Sequence, residues 1–327
     1  MAGVSEATVS RVLNNSAGVS AAKRDRVLAA AKTLRFRPNA QARLLAGGRP
    51  NTVLLVHPMV ESPLTWYFHL LETGILRGCA RHGFQLQPHF VLPDSPRRDI
   101  RILKPITDKA CIGVILAAPF SDDADLIAAV QARHMPFVLV ASGGATRGLA
   151  PGIGMDDERA GYELAMHLLR QGHRRFGFSL GLPDHLSAQE RFAGARRAMA
   201  EQGLGIDHIV EAPGGLNFDG GYHAFRRIRE SGFHPTALIC ANDESAAGAI
   251  HAAHEQSLRL PADLSIAAFD DAPFAPLLSP PLTTMLQGID VMAARAVDIL
   301  ADAIKGVNRP YEMTRPRLVI RQSTAAV

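Results

Sequence analysis

Residues 2–14 read Ala2-Gly3-Val4-Ser5-Glu6-Ala7-Thr8-Val9-Ser10-Arg11-Val12-Leu13-Asn14. Ser5 has the short hydroxyl that caps a helix N-terminus, and behind it Val9, Val12 and Leu13 recur at helical spacing. The other face carries Glu6, Ala7, Thr8, Ser10, Arg11 and Asn14, which are small donors and acceptors plus one guanidinium. Such a surface suits a DNA major groove, where base edges must be approached closely. Ala2-Gly3-Val4 before it reads as the tight turn of a helix-turn-helix, whose second helix enters the groove. Any short amphipathic helix has a polar face, however, so spacing alone does not separate the two readings.

Residues 15–49 favour DNA. A loop at 15–19 leads to Ser20, a cap for a second helix running to Leu34 with Val27, Leu28, Ala31 and Leu34 as its apolar stripe. Arg37-Pro38-Asn39 breaks the chain, Asn39 can cap a short helix over 40–46, and Gly47-Gly48 ends it. A helix that short does not hold alone in water and needs a partner such as DNA or a second copy of itself. Residues 1–49 hold nine Lys and Arg against Glu6 and Asp25, and the remainder of the chain is slightly acidic. A basic head on an acidic body implies a polyanion partner at one end.

From Asn51 the texture changes. Short apolar runs at 53–56, 86–91, 113–117, 137–141, 176–180, 237–241 and 266–269 alternate with helical patterns near 66–82, 122–133, 157–171, 187–202, 219–231, 244–256 and 290–303. This alternation predicts an α/β core of parallel sheets with helices on both faces, in two lobes. Thr283–Leu286 and Arg317–Arg321 are late strands of a chain that crosses back between lobes. The 327 residues are 47% hydrophobic and 20% charged, a globular composition. No apolar N-terminal run reads as a signal and no stretch is long enough to span a membrane, so the expected compartment is the cytoplasm. Cys79, Cys111 and Cys240 are scattered, with neither disulfide nor zinc spacing.

Ligands of open parallel sheets bind beyond the carboxyl ends of the strands. The residues there are Met155-Asp156-Asp157, Asn242-Asp243, Asp270-Asp271 and Gln287, with Arg191 on a following helix. Carboxylate, amide and guanidinium groups pair well with adjacent hydroxyls of a polyol, and Trp66, Tyr67, Phe218 or Tyr222 would supply a stacking face. Asp and Asn after strands are also ordinary loop formers and caps. Catalytic readings fail: there is no HExxH, no nucleophile elbow, no metal cluster, and Gly214-Gly215…Gly220-Gly221 neither follows a convincing strand nor has a phosphate-loop lysine. The expectation is a binder without cofactor or metal, not an enzyme.

The head stretch, Val19-Ser20…Arg24…Val27…Ala30-Ala31…Leu34, and Arg37-Pro38-Asn39…Ala42-Arg43-Leu44-Leu45-Ala46-Gly47 together resemble the lactose/galactose repressor (LacI/GalR) family. The similarity continues through Gly172-His173-Arg174-Arg175-Phe176, Arg191-Phe192…Gly194, Pro235-Thr236-Ala237…Asn242-Asp243 and Phe269-Asp270-Asp271…Pro281-Leu282-Thr283-Thr284. It implies a homodimeric repressor with a two-lobed core like periplasmic sugar-binding proteins. The divisions would be a helix-turn-helix head at 1–36, a hinge helix and linker at 37–50, one lobe at 51–154 with 288–309, and a second at 155–287 with 310–327. Glu6, Ala7 and Arg11 would face base edges of a palindromic operator. Thr8, Ser10, Asn14 and Ser20 would hold phosphates, with Asn39 at the hinge and Leu45 as the minor-groove wedge. Arg191, Asn242, Asp270, Gln287, Met155 and Trp66 would hold the effector, a sugar in preference to a purine. Relatives carry a helix before the turn that this sequence lacks, which implies an upstream start or weak DNA binding. The contrasting expectation is a sugar-binding protein without DNA function.

Overall fold

The computed structural model describes residues 2–13, 18–34, 51–59 and 66–327. Residues 1–50 and 51–327 form separate compact units. In the first, α1 (Glu6–Leu13) and α2 (Ala21–Thr33) pack through the buried Val12 and Val27. Ser5 sits at the start of α1, with its Oγ 3.0 Å from the Thr8 hydroxyl and accepting from the Thr8 N–H at 3.4 Å. The expected stripe on α2 is only partly realised. Leu28 and Leu34 are 49% and 57% exposed, because among the described residues α1 covers little beyond Val27. Asn14, Asn39, Leu45 and the short helix over 40–46 lie outside the described residues.

The second unit is two six-stranded sheets. The first has the order β11-β5-β4-β3-β1-β2, from β1 (Thr52–Pro58), β2 (Gln85–Val91), β3 (Gly113–Ala117), β4 (Phe137–Val140), β5 (Gly152–Met155) and β11 (Tyr311–Thr314). The second has the order β12-β10-β9-β8-β6-β7, from β6 (Phe176–Leu180), β7 (Ile209–Pro213), β8 (Ala237–Cys240), β9 (Ser265–Asp270), β10 (Thr283–Leu286) and β12 (Arg317–Val319). Every pairing is parallel except β10 with β12.

Each sheet has an apolar cluster on both faces, as buried parallel strands require. Helices α3 (Trp66–His82) and α10 (Ile289–Ile304) cover one face of the first sheet, and α4 (Arg98–Thr107) and α5 (Ala124–Gln131) the other. On the second sheet α6 (Asp157–Arg170) and α7 (Leu186–Glu201) face α8 (Phe218–Glu230) and α9 (Asp243–Glu255) across the strands. This is the doubly covered, two-lobed α/β architecture that the alternating pattern predicts.

Three details differ from the sequence reading. β11 pairs with β5 in the first sheet, so 310–327 is divided between lobes and the last crossing falls between Thr314 and Arg317. β7 runs directly into Gly214-Gly215, which therefore does follow a strand. Helix α4, with Pro105 in its last turn, lies where no helix is expected from a proline-containing stretch.

Candidate functional site

The chain passes between lobes from β5 to α6, from β10 to α10 and from β11 to β12. The carboxyl ends of both sheets meet around these crossings. Asp156 caps α6 by accepting from the Arg159 N–H at 3.1 Å, which leaves Asp157 on the first turn. Arg191 reaches Asp157 from the facing helix: its Nε donates to Oδ1 at 2.8 Å. Its Nη1 donates to the Ala241 carbonyl at 2.9 Å and stands 3.5 Å from Asp270 Oδ1, with the guanidinium over the Phe269 ring at 4.9 Å. Burial alone would make that guanidinium easier to deprotonate, and Asp157 and Asp270 more than offset it.

The geometry depends on two glycines. A Cβ at Gly161 would lie 1.7 Å from the Arg191 carbonyl oxygen, and one at Gly194 would lie 1.8 Å from that of Glu158. Helices α6 and α7 therefore touch backbone to backbone, which sets the distance across which Arg191 meets Asp157.

Asp270, the last residue of β9, and Asp271 after it have φ values of +113° and +55°, a conformation that non-glycine residues hold only when their surroundings enforce it. Here Arg321 donates to Asp271 at 2.6 Å. The Ala272 N–H and the Thr284 hydroxyl donate to the two oxygens of Asp243 at 2.7 and 2.6 Å. Burial pushes Asp270 up to about 6 against the pull of Arg191. Burial, reinforced by Asp270, holds Asp243 well above the usual carboxylate range.

The two lobes meet over this cluster. Trp66 on α3 lies 6.3 Å from the Phe274 ring, centroid to centroid. Tyr67 is close enough to Asp270 and Arg191 to feel their charge, and burial and Asp270 raise its pKa. The Ser187 hydroxyl donates to the Ala141 carbonyl at 3.3 Å, and the Gly144 N–H donates to Glu190 Oε1 at 2.5 Å. Arg147 closes the same joint by pairing with Glu190. Asp122 completes it, accepting from the Gly143 N–H at 2.8 Å and facing the Leu186 N–H at the start of α7.

Along this edge Asp122 Oδ2, Ser121 Oγ, Ser142 Oγ and Gln287 Oε1 are buried with no hydrogen-bond partner among the described residues. Buried polar atoms are nearly always satisfied, so four at one edge leave hydrogen-bonding capacity that the described residues do not use.

The six residues expected at an effector are not equivalent. Arg191 and Asp270 are brought together, and the Gln287 backbone N–H donates to the Asp270 carbonyl at 3.4 Å. Trp66 faces the second lobe. Asn242 is mostly spent on structure: its Oδ1 caps α9 through Ser245 at 2.9 Å and its Nδ2 donates to the Leu216 carbonyl at 3.0 Å. Met155 is fully buried in the apolar cluster shared with Phe178, Phe192 and Phe269, beneath the site rather than on its surface. Asp157, one of the strand-end acids that the sequence offers to a polyol, belongs to the constellation, and so do Asp122, Glu190 and Arg147, which are not among the expected residues. A paired-glycine loop directly after β4 and an acid at the first turn of α6 are the only signals for them.

In the separate head, Glu6, Ala7, Ser10 and Arg11 are exposed, while Val12 faces α2. Thr8 is half-buried, with its hydroxyl beside that of Ser5, and Ser20 is exposed at the start of α2. Among the described residues no cluster of three or more His, Cys, Asp or Glu could hold a metal, and no helix is long and apolar enough to cross a membrane.

The joint carries a pH effect. Asp122, pushed up to about 6 chiefly by burial, keeps its proton in the folded chain at pH values where the unfolded chain has lost it. Its contribution to stability is therefore present below about 4 and lost as pH rises through about 6, a swing of about 2–3 kcal/mol. Asp270 adds a change of the same sign. Asp122→Asn should melt higher than the parent at pH 7.5 and alike at pH 4, read by thermal denaturation across that range. An unchanged difference at both pH values contradicts the assignment.

Residues 1–39 match the model described as bacterial regulatory proteins, lacI family, and residues 165–324 match a periplasmic binding protein-like domain. The transcriptional regulator MalR of Streptomyces coelicolor is 34% identical, over 99% of this chain and 94% of its own length. Among solved structures, the lac repressor dimer bound to operator and an anti-inducer superimposes with a TM-score of 0.83 at 26% identity, covering 99% of this chain and 97% of that one. A complex of the regulator CelR with cellobiose gives 0.76 at 25%, covering 98% and 97%. With a helix-turn-helix segment ahead of a two-lobed α/β core, and similarity running the length of both, the chain belongs to the LacI family of bacterial transcription regulators.

Proposed function

We propose that this protein is a homodimeric transcription repressor that binds a palindromic operator through its head and answers to a small polyol, a sugar, held between its lobes. Arg191 and Asp270 carry the effector reading. They stand together, Arg191 buried and Asp270 partly buried, at an edge where four polar atoms have no hydrogen-bond partner among the described residues. A guanidinium N–H beside a carboxylate oxygen donates and accepts side by side, the pattern that a vicinal diol matches. The exposed polar face of α1 and the basic head carry the operator reading, with Glu6, Ala7 and Arg11 at base edges and Thr8, Ser10, Asn14 and Ser20 on phosphates. Asn39 and Leu45 belong to the hinge at 37–50. In this reading the protein works as a binder in the cytoplasm and not as an enzyme, which its likeness to transcription regulators supports.

The effector acts by binding one closure state of the lobes better than another, and the difference in affinity is the whole of its regulatory power. The lobe joint at Asp122, Ser187 and Glu190 is where closure is registered. Fluorescence anisotropy with a palindromic duplex tests the operator half. Affinity should fall by about three to five orders of magnitude between 50 and 200 mM salt, as phosphate contacts release counterions. A salt-independent or absent interaction at low salt favours a sugar-binding protein without DNA function.

A further inference from the structure

The charges of the cleft carry more than a site for a polyol. Its guanidinium groups are already engaged. Arg191 is held by Asp157, Asp270 and the Ala241 carbonyl. Arg147 is paired with Glu190, donates to the Ser142 carbonyl at 3.1 Å and lies 4.0 Å from Asp157. Arg321 is held by Asp271 and the Leu282 carbonyl. His185, beside Arg191 at the start of α7, is held down to about 4 by burial and by that guanidinium, so it stays neutral at pH 7. No lysine lies among these groups; those of the described core, Lys104, Lys109 and Lys305, are on α4, just after it, and at the end of α10. Against three arginines stand Asp122, Asp157, Glu190, Asp270 and Asp271, while burial and Asp270 favour the neutral form of Asp243.

Among the described residues, an incoming phosphate or carboxylate would thus meet no uncommitted positive charge and an excess of acids in a low-dielectric cleft, where like charges are costly. Apart from Asp122 Oδ2, what is uncommitted among the described residues is neutral: the Ser121 and Ser142 hydroxyls and the Gln287 amide oxygen, all buried and without partners there. We propose that Asp157 and Glu190 act as specificity-determining residues which spend the charge of Arg191 and Arg147, so that the effector is an uncharged polyol and its phosphorylated and acid forms are rejected. This rests on the cleft being the effector site, and it adds to that reading the class of ligand admitted and the residues that set it.

Glu190→Gln is the direct test, because the amide oxygen can still accept from Gly144 while the counter-charge to Arg147 disappears. Inorganic phosphate is the probe, titrated calorimetrically into the parent, Glu190→Gln and Asp157→Asn, each first shown by melting to be folded. The parent should give no saturable binding at millimolar phosphate, and the variants should gain about tenfold or more. Saturable phosphate binding by the parent, or no gain in either folded variant, overturns the proposal.

A second arm separates this proposal from the site itself. Glucose, maltose and cellobiose are compared with glucose 6-phosphate and gluconate for release of operator and for thermal stabilisation. A response confined to the charged members and lost in Arg191→Lys overturns the charge filter while leaving the cleft as the effector site. A response to any of them that survives unchanged in both Arg191→Lys and Asp270→Asn places the ligand elsewhere and overturns both.

Discussion

Replacing Arg191 by lysine is expected to leave a folded, operator-binding protein that no longer answers to its effector. Three of the guanidinium's roles are geometric. It bridges Asp157 and Asp270, which sit on different elements, donates to the Ala241 carbonyl, and stacks on Phe269. A lysine ammonium is one point charge and reaches one carboxylate at a time. Loss of two charge-assisted hydrogen bonds to a ligand, each about 1.5–3 kcal/mol, corresponds to a fall of roughly two to four orders of magnitude in effector affinity.

Arg191→Ala would lose as much affinity and also strand two buried acids, at a cost of about 3–5 kcal/mol to the second lobe, so lysine is the more informative change. Asp270→Asn is the partner test: it keeps an acceptor, removes the charge and should weaken the effector less than Arg191→Lys does. The readout is the effector concentration needed to change operator occupancy. Operator affinity without effector should stay within a few-fold of the parent, since the head forms a unit of its own. Equal effector sensitivity in parent and lysine variant would remove Arg191 from the effector site.

Much of the fold is legible in the sequence because the core is built from regular pieces. Strands such as Gly113–Ala117 and Ala237–Cys240 are unbroken apolar runs, and each is followed by a helix with a period near 3.6. The strands that cannot be read this way are those whose reason lies elsewhere in the chain. β5 is four residues with two glycines, a poor strand by propensity. Its glycines exist because the Tyr311 ring lies across them: a Cβ at Gly152 would fall 2.5 Å from that ring. β11 in turn needs β5 to pair with, so neither can be read alone.

The site divides the same way. Arg191 and Asp270 stand beside recognisable motifs, and the ends of parallel strands are where ligands gather. Which acid pairs with Arg191 is hidden in the sequence, because Asp157 lies 34 positions away and meets it only through the contact of α6 with α7. Met155 reads as an effector residue because it follows a strand. As the last residue of β5, it packs instead into the apolar cluster of the second lobe.

That helix contact predicts the largest structural effect. Gly161→Ala is expected to destabilise the protein by about 3 kcal/mol or more, at the upper end of overpacking costs, because the obstacle is backbone and cannot rotate away. The added Cβ would stand 1.7 Å from the Arg191 carbonyl oxygen, so α7 must move outward by more than an ångström to reach ordinary contact near ~3.5 Å. Movement of that size carries Arg191 away from Asp157, at present 2.8 Å distant on the facing helix, and from Asp270. Stability and effector response should therefore fall together.

Gly78→Ala separates the two effects. Its Cβ would meet the Val297 side chain at 2.6 Å in the other lobe, between α3 and α10. Thermal melting should show destabilisation in both variants, and effector titration should show a loss only in Gly161→Ala. If Gly161→Ala melts within a degree or two of the parent, the backbone contact is looser than described and Arg191 owes its place to Asp157 and Ala241 alone. If it is destabilised yet keeps full effector response, the helix pair holds up the lobe without positioning the guanidinium.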